Sequence, residues 1–296
     1  MSDNPSSLPS PFTPPVGGNR GIGELIREAK NLTPDQMDAV LKYQAEHGIR
    51  FGDAAVALGY AKRDDVLWAL SQQFHYPYSA GDPESNANPE LVVANNPFSD
   101  EAEAFRNFRS QLISTVFAPG TPKKALAVVS PMPGEGKSFF CANLAVVFSQ
   151  LGGRTLLVDA DMRTPRQHEI FGIEGNNVGL SSVLAGRCET NVIRPIQDLP
   201  SLYVLPVGAT PPNPLELAQR PAFALLMMEL LQKFDHVIVD TPAAMHGADA
   251  RVISAVCGAA AVLGRRNHTS LPALKGLIDN LKKANITTAG IVMNEH

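Results

Sequence analysis

Cysteine is scarce in this chain: Cys141, Cys188 and Cys257 are the only three in 296 residues. Odd in number and far apart, they suggest neither a disulfide framework nor a zinc site, and they fit a reducing cytoplasm. Long apolar runs are missing too. A spanning helix needs about 20 such residues, and no stretch of the sequence reaches that length. The start, MSDNPSSLPSPFTPPVGG, has neither the basic nor the apolar region of a signal peptide. Its Pro, Ser and Gly content predicts a disordered lead over residues 1–18. Any membrane role therefore needs a partner. Positive charge is the third absence. A net charge of −4 argues against a protein whose main task is coating nucleic acid. Hydrophobic residues at 44% and charged residues at 18% are ordinary for a globular chain of one large or two smaller domains.

What is present falls into two parts. Residues 19–78 read as a small helical domain built on a repeat. GIGELIREAKNLTPDQMDAVLKYQ at 21–44 aligns with RFGDAAVALGYAKRDDVLWALSQQ at 50–73, matching Gly23 with Gly52, Leu41 with Leu70 and Gln44 with Gln73. Each unit predicts a short helix, a turn and a second helix. Thr33 before Pro34 is a good N-cap and first-turn pair. Neither unit can bury its apolar face alone, so the two copies are expected to pack together. Residues 79–98, rich in Asn, Pro, Ser and Gly, read as a linker.

From residue 99 to 296, apolar strand runs alternate with helical patterns. The runs are KALAVVS at 124–130, RTLLVD at 154–159, LYVLPV at 202–207, HVIVD at 236–240, and stretches at 259–263 and 289–294. Such an alternation predicts an α/β fold, a mostly parallel sheet covered by helices on both faces. Ligands in such sheets sit beyond the carboxyl ends of the strands.

Chemistry-bearing residues fall at those ends. PMPGEGKS at 131–138 follows one strand and opens a helix. Gly134 and Gly136 permit close backbone approach to phosphate, Lys137 can reach the β- and γ-phosphates, and Ser138 can ligate Mg²⁺. Pro131 departs from the strict glycine start of this Walker A pattern. LLVDADMR at 156–163 brings Asp159 and Asp161 off the next strand together. VIVDTP at 237–242 ends a strand on Asp240, as a Walker B acid would. Phosphoryl transfer needs Mg²⁺ and a group that orients the attacking oxygen, so the three signals in this order point to a P-loop NTPase using ATP and Mg²⁺.

With SPMPGEGKS, LLVDADMR, GLSSVLAG, PPNPLEL and VIVDTP in sequence, residues 99–294 resemble the catalytic domain of the bacterial tyrosine kinases of capsule and exopolysaccharide export. RRNHTSL at 265–271 makes the cytoplasmic type without a fused membrane segment the nearest form. The resemblance implies an ATP-dependent autokinase with a protein tyrosine substrate and no nucleic acid. A membrane adaptor of the polysaccharide co-polymerase type would recruit it from the cytoplasm to the inner membrane. Lys137, Asp159 and Asp161 are the implied catalytic residues. Asp161, Asp240 and Ser138 are assigned to Mg²⁺, and Asp159 to orienting or deprotonating the hydroxyl. Glu135, Phe139 and Asn294 join Gly134, Gly136, Lys137 and Ser138 as expected nucleotide contacts. Glu103, Arg106 and Arg109, spaced by three on one helical face, match residues that join subunits of this family into a ring. An intrahelical salt-bridged surface is the other reading of that spacing. The alternative function is a non-kinase ATPase of the partitioning or division-site group. That group carries a lysine early in its loop, where this chain has Met132.

Two features depart from the kinase pattern. The tyrosines are Tyr43, Tyr60, Tyr76, Tyr78 and Tyr203, none near residue 296, whereas the family has a tyrosine-rich tail. Either the sequence stops short of that tail, or the acceptor lies elsewhere, or ATP is hydrolysed without a kinase role. The N-terminal repeat, in turn, resembles the N-terminal domain of type II secretion and type IV pilus ATPases, some of which bind cyclic di-GMP. Arg50 and Gly52 are the matching half-site. Gly21 and Lys30 break the pattern in the first unit, and a docking domain without nucleotide is the open alternative.

Overall fold

The computed structural model describes residues 21–73, 88–175, 178–187, 192–197 and 199–295. The lead at 1–18, residues 79–87 of the expected linker, Tyr76, Tyr78 and Cys188 lie outside them. The chain divides into two compact units, Met1–Tyr76 and Pro77–His296.

The first unit holds α1 (Ile22–Lys30), α2 (Pro34–His47), α3 (Phe51–Ala57) and α4 (Arg63–Gln73). Each half of the repeat supplies one shorter and one longer helix. Thr33 starts α2 through a reciprocal cap: its Oγ1 accepts from Gln36 N at 3.3 Å, and Gln36 Oε1 accepts from Thr33 N at 2.9 Å. Ile26, Val40, Phe51, Ala54, Ala55 and Ala69 form a core drawn from both halves, and Lys30 pairs with Asp65 at 2.8 Å. Gly52 is a packing residue. A Cβ there would meet Val66 Cγ1 at 2.5 Å, so the hydrogen side chain lets α3 lie directly on α4.

The second unit opens with α5 (Val92–Asn95) and α6 (Asp100–Thr115). Then come β1 (Ala125–Val129), α7 (Lys137–Ser149), β2 (Thr155–Asp159), α8 (Gln167–Ile170), α9 (Leu180–Leu184), β3 (Arg194–Ile196) and β4 (Leu199–Leu205). They are followed by α10 (Pro214–Ala218), α11 (Pro221–Lys233), β5 (His236–Asp240), α12 (Asp249–Cys257), β6 (Gly258–Arg265), α13 (Leu271–Lys283) and β7 (Thr287–Asn294). The strands form one sheet in the order β3-β4-β2-β5-β1-β6-β7. Among the described strands only β3 runs antiparallel, an edge strand that its three-residue sequence did not announce. The parallel, two-faced sheet agrees with the expectation, and its cause is visible in burial. Alternate residues of β1 face opposite cores: Ala125, Ala127 and Val129 meet α9 to α13, while Leu126 and Val128 meet α5 to α8. Both faces are dry, so each strand reads as an unbroken apolar run.

Where the linker was expected, residues 88–98 belong to the sheet domain. Leu91 and Val93 are buried against α7. Asn143 of α7 is fully buried and makes the attachment: its Oδ1 accepts from Val93 N at 3.0 Å, and its Nδ2 donates to Glu90 O at 2.8 Å. The Asn- and Pro-rich composition of this stretch reflects turns that fasten to the core, where composition alone suggested a spacer.

Candidate nucleotide site

Three strands deliver the site. β1 leads into the loop at 131–136, β2 ends on Asp159, and β5 ends on Asp240. Asp159 and Asp240 are register partners in neighbouring parallel strands, so two carboxylates leave the sheet side by side. Both side chains are wholly buried, and Asp161 and Lys137 are nearly so. A charged cluster at this depth is unfavourable without compensation. Part of that compensation is visible. Asp159 Oδ1 accepts from Asp161 N at 3.1 Å, and its Oδ2 accepts from Arg166 N and Gln167 N at 3.2 and 3.1 Å. Asp161 Oδ1 accepts from Arg163 N and Thr164 N at 3.1 and 2.9 Å, and its Oδ2 from Thr164 Oγ1 at 2.9 Å. Asp240 Oδ2 accepts from Gln167 Nε2 at 2.7 Å. Lys137 Nζ donates to Ser130 Oγ at 3.2 Å.

The electrostatics remain strained. Burial pushes the Asp159 carboxyl well above the usual carboxylate range, and the adjacent Asp240 pushes it further. Burial also raises Asp240, against the hydrogen bonds of Gln167 and Ser138 and the charge of Lys137 that favour its ionised form. The Cys141 thiol, one turn into α7, is held up by burial and by Asp240. Asp240 Oδ1 is buried without a hydrogen bond of ordinary geometry.

The loop is braced from the ends of the neighbouring β6 and β7. Glu135 is fully buried; its Oε2 accepts from Met132 N at 2.8 Å, and its Oε1 accepts from Thr269 Oγ1. Arg265 donates to Gly134 O at 3.2 Å, and Asn294 Nδ2 donates to Glu135 O at 3.2 Å. Gly136 has φ +88°, and a Cβ there would stand 2.4 Å from Asn294 Nδ2. The glycine is thus required twice, by conformation and by space. Glu135 and Asn294, expected as nucleotide contacts, are brought to the loop, and the Glu135 carboxylate faces inward to hold its shape. The Phe139 ring lies near Phe105, with centroids 6.3 Å apart.

These residues suit a nucleotide with Mg²⁺. The loop amides, Lys137 and Ser138 sit at the start of a long helix, and buried carboxylate oxygens face them. Among the described residues no group of three or more His, Cys, Asp or Glu side chains forms a cage for a metal by itself. Mg²⁺ rarely uses such a cage; it binds through one or two protein oxygens, waters and substrate phosphates.

Other expected residues lie elsewhere. Glu103, Arg106 and Arg109 are on α6. Arg106 pairs with Glu103 at 2.8 Å and donates to Pro97 O, while Arg109 donates to Val147 O at 2.6 Å. Arg50 is the residue preceding α3, beside the packing glycine Gly52. Sequence reasoning missed Gln167, Asn143, Thr269 and Asp249. Asp249 forms a two-pronged pair with Arg163, at 3.1 to 3.2 Å, joining the acidic loop to α12. Arg163 and Thr269 stood in motifs already noted, in LLVDADMR and RRNHTSL. Gln167, Asn143 and Asp249 carried no local signal.

Among the described residues no helix is long and apolar enough to cross a membrane. Comparison with known proteins agrees with the geometry. The family model of the CobQ/CobB/MinD/ParA nucleotide binding domain matches residues 126–296. The putative tyrosine-protein kinase CapB of Staphylococcus aureus is 34% identical over 209 residues, 69% of this chain and 89% of CapB. The chain spans 27–36% of the length of several longer tyrosine-protein kinases it matches. The chimerical protein CapA2B2 is 33% identical, with a TM-score of 0.65 over 77% of this chain and 97% of the other. The kinase domain of Escherichia coli tyrosine kinase ETK is 29% identical, with a TM-score of 0.66 over 71% of this chain and 82% of that domain. MinD of Pyrococcus horikoshii, solved with Mg-ADP, is 26% identical, with a TM-score of 0.51 over 58% of this chain and 70% of MinD. The buried lysine, hydroxyl and three aspartates at the carboxyl ends of a parallel sheet therefore sit in a known setting, and the chain belongs to the bacterial tyrosine-protein kinases of the CobQ/CobB/MinD/ParA nucleotide-binding family.

Proposed function

We propose that this protein transfers the γ-phosphoryl group of ATP to a protein tyrosine, and that it does so in the control of exopolysaccharide or capsule polymerisation. The observation that carries the reading is the convergence of Lys137, Ser138, Asp159, Asp161 and Asp240 in one buried site. Lys137 stabilises charge on the transferring group, the kind of electrostatic help that dominates such reactions. Ser138, Asp161 and Asp240 are the oxygens for Mg²⁺, which neutralises phosphate charge when bound. Asp159 orients the tyrosine hydroxyl and takes its proton; a raised carboxyl pKa suits that task better than an ordinary one. The test is incubation with ATP, Mg²⁺ and a membrane-adaptor fragment of the polysaccharide co-polymerase type, followed by phosphosite mapping. Phosphotyrosine in the wild type and none in Lys137→Met supports the reading. Equal phosphotyrosine in both rejects it.

The likeness to MinD supports a second reading, an ATPase that positions or switches a partner. Met132, where that group has lysine, weighs against it. Release of free phosphate without phosphotyrosine would favour the switch.

Assembly and regulation follow from the same proposal. Glu103, Arg106 and Arg109 would join subunits into a ring by exchanging their bonds within the chain for bonds across an interface, where arginine suits bidentate pairing. Light scattering on Arg106→Ala/Arg109→Ala checks this; an oligomer as stable as an oligomeric wild type restores the surface-helix reading. The N-terminal unit would act as a regulatory input, with the adaptor recruiting the protein to the inner membrane. Cyclic di-GMP at Arg50 and Gly52 is the finer version. Calorimetry on the full chain should give heat that Arg50→Ala removes, and a flat wild-type titration would leave protein docking as the role of that unit.

A further inference from the structure

Gln167 has a role that the nucleotide motifs do not specify. It begins α8, eight residues after the first acidic strand ends, and its side chain is fully buried. Its Nε2 donates twice, to Asp240 Oδ2 at 2.7 Å and to Ser138 O at 3.1 Å. Its backbone N–H donates to Asp159 Oδ2 at 3.1 Å. One residue therefore ties together the end of β2, the end of β5 and the first turn of α7. The orientation of the amide follows from chemistry. Both atoms near Nε2 are acceptors, so the reversed amide would place an oxygen against two oxygens.

That orientation leaves Gln167 Oε1 buried in the same enclosed space with no donor, whereas Asp240 is also held by the Ser138 side chain. A buried acceptor lacking a donor costs about 1–3 kcal/mol. Such a group, next to the Ser138 backbone and beside Asp240, calls for a partner. The neighbouring backbone amides of Arg166 and Gln167 are already committed to Asp159. A hydrated cation, whose coordinated waters are strong donors, would complete this acceptor.

We propose that Gln167 is a positioning residue for the divalent cation: Nε2 holds Asp240 in place while Oε1 serves as an open acceptor for a water in the cation's hydration shell. The inference rests on the nucleotide and Mg²⁺ reading of the site, and it adds a residue that no phosphate-loop motif contains. Partners of this kind, once removed, typically weaken metal binding 10–100-fold.

The test uses the full-length protein and a fluorescent ADP analogue, titrated with Mg²⁺ and separately in EDTA. Gln167→Met keeps the volume and removes both polar functions. The expected result is a rise of about 10–100-fold in the Mg²⁺ concentration at half effect, with EDTA affinity within about twofold of wild type. A packing role alone would not move the Mg²⁺ dependence separately from nucleotide affinity. Gln167→Glu gives a second arm, usable even where Gln167→Met does not fold. It places a carboxylate against Asp240 Oδ2, so the cation-free protein should melt lower than wild type and regain more on adding Mg²⁺. An unchanged Mg²⁺ half-point in Gln167→Met overturns the proposal, as does a Mg²⁺-induced gain in Gln167→Glu no larger than in wild type. Loss of Mg²⁺ dependence in the wild type itself would mean that the underlying nucleotide-metal reading has failed, which separates the two failures.

Discussion

Removing one charge from the acidic cluster should stabilise the protein while disabling it. Asp240 is fully buried, and desolvation lifts its carboxyl above the usual value of 3.8. Between that value and the raised one, the folded protein keeps a proton that the unfolded chain has lost. Unfolding then releases a proton, so stability falls as pH rises through the window, and the loss persists above it. The slope is at most about 1.4 kcal/mol per pH unit for one group. For a domain of this size 1 kcal/mol moves Tm by about 2–4 °C, so each pH unit of the window is worth roughly 3–6 °C. Asp240→Asn removes this liability. It can still accept the Gln167 hydrogen bond, and it takes away a charge that also raises Asp159. Thermal unfolding in EDTA at pH 5, 7 and 9 should therefore show the variant above wild type at pH 7 and 9, with a flatter dependence on pH. The transition to follow is the one that Mg²⁺ and ADP shift upward in wild type, and that upward shift should shrink in the variant. A variant that melts at or below wild type at pH 7 and 9, or that keeps the full pH slope, would refute the reasoning.

Three further outcomes are expected. Lys137→Met should lower phosphoryl transfer at least about 100-fold; full transfer by a folded variant would move the reaction away from this loop. Asn143→Ala leaves the Val93 N–H and the Glu90 and Phe139 carbonyls without their buried partner. It should cost about 2–4 kcal/mol and lower Tm by roughly 4–16 °C; a wild-type Tm would show that residues 88–95 are not fastened as described. Gly136→Ala forces a left-handed alanine against Asn294, about 1–2 kcal/mol from conformation alone. Nucleotide affinity, measured by calorimetry, should fall at least about tenfold, and unchanged affinity would remove the stated reason for glycine.

Much of this was legible in the sequence for a physical reason. Strands buried on both faces cannot carry polar residues except at their ends, so Asp159 and Asp240 stand out at the close of LLVD and VIVD. A loop that must cradle phosphate needs glycines with positive φ, and GEGKS displays them. Interactions between distant segments left no such mark. Gln167 meets Asp240 across 73 positions and Arg163 meets Asp249 across 86, and neither spacing follows from any local period. Residues 88–98 misled for the opposite reason: Asn, Pro and Ser are common in linkers and also in tight turns that fasten to a core. Glu103 and Arg106 show a further limit. Their spacing of three brings them together within α6, and the same spacing serves an interface equally well.

The central claim is phosphoryl transfer to tyrosine, and one time course tests it most directly. Wild type, Lys137→Met and Asp159→Asn are each incubated with ATP, Mg²⁺ and the adaptor fragment, and phosphotyrosine and free phosphate are counted from the same tube. Phosphotyrosine that accumulates in the wild type and is lost in both variants is the predicted result. Steady release of phosphate with no phosphotyrosine would contradict the claim and identify the protein as a nucleotide-driven switch.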